Sequence, residues 1–160
     1  MKKTIISLVV YIGIIITTGL LTVAQGHAGD KKRRPTCDAA TLEGLYIFTA
    51  SGFNISATGA AQPTAIVESI RFNGDGLLTV PSVTVSLNGT ILGNGAPGSD
   101  GTYTVKSLVT ADAACLGTLT FASGFPLNFD LFIPRGEQTI QMIRTDPNTV
   151  FRGTPTKVSE

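Results

Sequence analysis

The chain has 160 residues, 14% of them charged, with 18 glycines, no tryptophan, one histidine and two cysteines. The formal net charge of +1 misleads, because Lys31-Lys32-Arg33-Arg34 and the N-terminal lysines carry much of the positive charge, and the length suits one domain with its own core. From Cys37 onward ten acidic residues stand against six basic ones (Arg71, Lys106, Arg135, Arg144, Arg152, Lys157), so this part is mildly acidic and its cations are scattered.

Lys2 and Lys3 precede an uncharged apolar run from Ile5 to Val23, and small residues Gly26 and Ala28 follow. That order is the order of a secretory signal. Residues 1–28 are therefore read as a signal peptide, 29–36 as a basic disordered linker carrying Lys31-Lys32-Arg33-Arg34, and 37–160 as the domain. The run is also just long enough to cross a bilayer, so an uncleaved N-terminal anchor is the alternative. With cleavage the expectation is a secreted or periplasmic bacterial protein with no membrane contact and no nucleic-acid partner. In such a compartment Cys37 and Cys115 most simply form a disulfide, and closing that loop constrains the unfolded chain by about 4 to 5 kcal/mol in the chain-entropy model. A thiol nucleophile or metal-ligand pair is the other reading.

After the signal, helical periodicity is hard to find. Short β-branched and aromatic runs recur, each ended by glycine, proline, asparagine or aspartate. They are Leu45–Ser51, Ala65–Phe72 closing on the hairpin signal Asn73-Gly-Asp-Gly, and Leu77–Val80 continuing past Pro81 as Ser82–Leu87, with a bulge or edge break at the proline. Asn88-Gly89 marks a turn before Thr90-Ile-Leu, and Gly93 to Gly101 reads as a loop. Thr102–Lys106, Cys115–Phe121, Leu127–Ile133, Gln138–Thr145 and Thr149–Gly153 complete the series, with a helical turn expected in Ser107–Ala114. About eight strands joined by short turns specify an all-β fold, an antiparallel up-and-down barrel, with a sandwich as the alternative.

Gly93-Asn-Gly-Ala-Pro-Gly98 matches a dinucleotide-binding fingerprint letter for letter. Such a fingerprint needs a helix starting at the last glycine, and here Pro97 and another strand follow. Turn chemistry accounts for these glycines, and no cofactor is expected. His27, the only histidine, lies in the signal, so imidazole catalysis and histidine metal sites are excluded from the domain. No catalytic residue and no metal site is assigned.

Alternation places Ile66, Glu68, Ile70 and Phe72 on one strand face, so Glu68 shares an apolar surface and should have a raised pKa or a cationic partner. Arg144, on a face with Ile140 and Met142, is the partner to test; Asp130 points to solvent, opposite Leu127, Phe129, Leu131 and Ile133. Glu68, Arg144, Tyr46 and Tyr103 are the candidate ligand-binding residues of a barrel cavity. A plain ion pair, or a face shifted by one bulge, is the structural alternative. Asn54-Ile-Ser and Asn88-Gly-Thr have the form of glycosylation sequons but read as turn residues.

The ordered motifs Leu42-Glu-Gly-Leu-Tyr46, Phe72-Asn-Gly-Asp-Gly76, Ser86-Leu-Asn-Gly89, Gly101-Thr-Tyr-Thr-Val105, Cys115-Leu-Gly-Thr-Leu-Thr120 and Arg144-Thr-Asp-Pro-Asn-Thr-Val150 run through the domain. Together with the two cysteines they resemble a group of small exported bacterial proteins of unknown function. More distantly the pattern is similar to the allene oxide cyclase-like and dirigent-like barrels. That resemblance implies eight strands, frequent homo-oligomers, and members that bind apolar ligands or guide cyclisation; no cyclase catalytic residue matches a motif here. The expectation is a non-enzymatic barrel that binds a small apolar ligand or a partner protein. The alternatives are a structural or surface-interaction module with a filled barrel, and a cyclase or isomerase.

Overall fold

The computed structural model describes residues 36–108, 114–122, 127–134, 136 and 138–160. The readings of the signal and the Lys31–Arg34 run lie outside these residues, as do residues 109–113 of the helical turn expected in Ser107–Ala114, whose end residues Ser107 and Ala114 belong to strands. Nine strands are present among them: β1 (Gly44–Ile55), β2 (Ala61–Phe72), β3 (Leu77–Leu87), β4 (Thr90–Ala96), β5 (Gly101–Ser107), β6 (Ala114–Phe121), β7 (Leu127–Pro134), β8 (Gln141–Arg144) and β9 (Thr149–Ser159). Each pairs antiparallel with its neighbours in the order β1-β2-β3-β5-β6-β7-β8-β9, and β9 returns to β1. This is a closed eight-stranded barrel with β4 as one extra strand on β3. Closure removes the edges a sandwich would expose.

Proline and glycine decide where the ladders start, bend and stop. In β3 the register against β2 shifts between Ser69 and Arg71, leaving Val80 and Pro81 opposite Ile70. Leu78 and Val80 are buried before that bulge, and Val83 meets Glu68 after it. β3 joins β5 through only two pairs, Leu77–Thr102 and Leu78–Gly101, before turning to β4. The expected loop from Gly93 is therefore corrected: Gly93 to Ala96 extend β4. No helix follows them; the next element is β5.

β8 is shorter than the expected Gln138–Thr145 because Pro155 in β9 has no N–H to donate. The ladder continues as a lone bridge at Thr139–Thr156, flanked by an Ile140 N–H to Pro155 carbonyl bond of 2.9 Å and a Lys157 N–H to Gln138 carbonyl bond of 2.7 Å. β1, β2 and β9 are longer than expected and reach Ile55, back to Ala61, and on to Ser159. Asn54 is corrected from a turn to a strand residue, whereas Asn88 (φ 49°) and Gly89 (φ 83°) do form the β3–β4 turn.

Alternate residues fill the interior. Phe129 packs edge-on against Phe48, Phe121 and Phe151 at 5.8 to 6.3 Å, and Phe72 against Tyr46 and Tyr103 at 5.2 and 4.9 Å. These are the T-shaped arrangements that ring quadrupoles favour. Gly153 is required here, since a Cβ would lie 2.4 Å from both the Phe48 ring and the Ala50 methyl. Cys37 and Cys115 form a disulfide with Cα atoms 5.6 Å apart, tying the segment before a short 3-10 turn (Ala39–Leu42) to the start of β6. Such a bond is compatible with an oxidising compartment.

Candidate functional site

The four residues singled out from sequence do not meet around one chamber. Glu68 faces the interior as alternation requires, between Phe48 of β1 and Val83 of β3, and is 9% exposed. It has no hydrogen-bond or charged partner among the described residues, and burial alone pushes its carboxyl up to about 7. The expected pairing with Arg144 is not formed.

Arg144 turns instead to the rim. Its Nε–H donates to Asp146 Oδ2 at 2.6 Å, and its Nη1 donates to Asn54 Oδ1 at 3.4 Å. Asp146 in turn accepts from the Asn128 backbone N–H (3.0 Å) and side-chain amide (2.8 Å). Thr120 donates to Asn128, and Asn54 to Thr64, so the chain of polar groups runs round the barrel from β2 to β6. Burial works to raise the Asp146 pKa, but the bonds from Arg144 and Asn128 outweigh it and hold the carboxyl below its usual range. Arg144 is thus committed to a nearer acid, one the loop after β8 supplies.

Tyr46 and Tyr103 sit towards the other end of β1, near the disulfide. Tyr103 donates its hydroxyl hydrogen to the Ala39 carbonyl and accepts from the Gly74 N–H, both at 3.0 Å, pinning the 3-10 turn to the β2–β3 hairpin. Tyr46 lines an open groove of about 480 Å³ with Leu42, Ile133 and Ile140. Burial first, then the charge of Glu160, pushes its phenol up to about 12. Among the described residues no group of three or more acidic, cysteine or histidine side chains could hold a metal.

The larger grooves lie elsewhere, across the sheet formed by β8, β9, β1 and β2. The register assembles three rows on its outer surface. The first is Pro63–Phe53–Val150, the second Ala65–Ser51–Arg152–Ile143, and the third Val67–Thr49–Thr154. The first two rows line an open groove of about 710 Å³, in which Phe53, Ile143 and Val150 are 46%, 56% and 65% exposed. Ala65, Ser51 and Arg152 of the second row and the whole third row line an adjoining groove of about 530 Å³ that also takes in Gln141. Arg152 borders both.

Neither Phe53 nor Arg152 was among the sequence-selected residues. Phe53 lies beyond the expected end of its strand at Ser51, although alternation continuing from Thr49 was a usable signal. Val150 and Arg152 share a face two residues apart within an expected strand, but nothing local showed that they would lie beside Phe53. Comparison with protein families, with curated proteins and with solved structures gave no match to this chain.

Proposed function

We propose that this barrel is a non-enzymatic binding protein that takes an apolar small molecule in the groove lined by Phe53, Ile143 and Val150. The observation that carries the reading is this cluster of large apolar side chains, about half exposed, around a concavity of about 710 Å³. Small-molecule sites are commonly concave, largely apolar and about 300 to 1,000 Å³ in volume. The interior supports this outward placement, because aromatic rings occupy it and Glu68 lines none of the three grooves.

The disulfide and the signal-like N-terminus together favour action outside the cytoplasm. A cyclase or isomerase of the allene oxide cyclase-like kind is less well supported, since the unpartnered carboxyl lies away from the grooves. A surface-interaction module is the second reading. It is favoured by Val67 and Ile47, whose exposed side chains extend the apolar face beyond the groove.

The test is fluorescence enhancement of the neutral apolar dye N-phenyl-1-naphthylamine. Phe53→Ser combined with Val150→Ser should abolish it, while Ile91→Ser, on the exposed β4, should not. Equal enhancement in all three proteins would end the groove reading. Loss of a pulled-down partner protein without any dye effect would favour the interaction module.

A further inference from the structure

We infer that the two adjoining grooves form one site for a free single-chain anionic amphiphile, with its tail against Phe53 and Val150 and its acid group on Arg152. The inference rests on the groove reading above and adds to it the class of ligand. The sheet register carries it. Moving along β1 and β9, the outer surface passes from the apolar pair Phe53–Val150, through Ser51–Arg152, to the hydroxyl pair Thr49–Thr154. Along β1 and β9 an apolar pair, a cation and a hydroxyl pair in that order match the tail, acid and solvated edge of an amphiphile, with exposed Val67 of β2 flanking the hydroxyl pair.

Charge supports the same assignment. Among the described residues no carboxylate lines either groove, although acids outnumber bases by ten to six from Cys37 onward. Arg144, the other cation at the first groove, is neutralised by Asp146 at 2.6 Å. Arg152 has no hydrogen bond or ion pair among the described residues, and its cross-strand neighbours are Ser51 and Ile143. A guanidinium without an anion, beside hydroxyl donors, matches an acid group through a two-point, charge-assisted contact. A neutral ligand would leave that contact unmade, and a cationic one would meet repulsion.

The experiment titrates the full-length protein with dodecanoate, dodecanol and dodecyltrimethylammonium by calorimetry at about pH 8, below micelle formation. Dodecanoate should bind about tenfold more tightly than dodecanol, the scale of one charge-assisted contact, and the ammonium most weakly. Arg152→Gln should bring the dodecanoate-to-dodecanol ratio close to one, and Arg152→Lys should restore part of it. Thermal unfolding of each variant monitors the fold. Equal binding of all three amphiphiles overturns the charge assignment and leaves the groove standing; binding of none overturns both. Sedimentation with phosphatidylglycerol vesicles but no affinity for free dodecanoate would replace the single-chain ligand with a membrane surface, and so overturn the inference too.

Discussion

Glu68→Gln isolates the cost of a lone carboxyl in the barrel. The folded-state pKa is about 7 against an ordinary 4.5, and burial is the cause. Each unit of such a difference corresponds to about 1.4 kcal/mol, so ionised Glu68 lowers stability by about 3 kcal/mol. Because the folded state holds its proton more tightly than the unfolded state, stability is highest below about pH 4.5. It then falls through the window to about pH 7 and levels off above it. Glutamine has nearly the same shape and never ionises. The difference between variant and wild type should therefore be near zero at pH 4 and grow to about 3 kcal/mol in favour of glutamine at pH 8. Urea unfolding with the disulfide intact, followed by tyrosine fluorescence at about pH 4, 6 and 8, measures that difference and cancels titrations common to both proteins. A difference independent of pH, or a glutamine variant less stable at pH 8, would refute the reasoning, since either result requires a satisfied Glu68 anion.

Asp146→Asn removes the charge that holds Arg144 and should cost about 1 to 2 kcal/mol near neutral pH by urea unfolding. Since the Asp146 carboxyl is held below its ordinary 3.8, the wild-type advantage is present above that value. It should be lost as pH falls through the folded-state pKa, and a gap that persists in strong acid would count against the rim network. Tyr103→Phe strips both bonds from the contact with Ala39 and Gly74 and should cost about 1 to 3 kcal/mol. It should also speed amide hydrogen exchange at Gly74, and unchanged exchange there would remove the pinning role.

Local chemistry foretold much of the fold. The strand-turn rhythm, the bulge at Pro81 and the inward set of β7 all follow from alternation and from what proline and asparagine-glycine pairs do to a backbone. Glu68 was legible for the same reason: Ile66, Ile70 and Phe72 on its face already required it to be inside. The extents of β1, β2 and β9 were less legible because their outer halves are half-exposed and carry alanine, threonine and glycine, which satisfy a strand only when a neighbour is present. β8 shows the reverse effect. Gln138 to Thr145 alternates well, yet a proline on another strand decides where the ladder breaks.

Sequence by itself determined that residues 37–160 form an all-β domain, and which residues of most strands share a face, because side-chain direction in a strand has a strict two-residue period. Only the tertiary structure decided which faces meet. Arg144 goes to Asp146, two residues along its own chain, rather than to Glu68, and Phe53 comes beside Val150 and Arg152 because closing β9 onto β1 joins segments nearly a hundred residues apart. No local pattern encodes that register; it is set by the summed packing of the whole barrel interior.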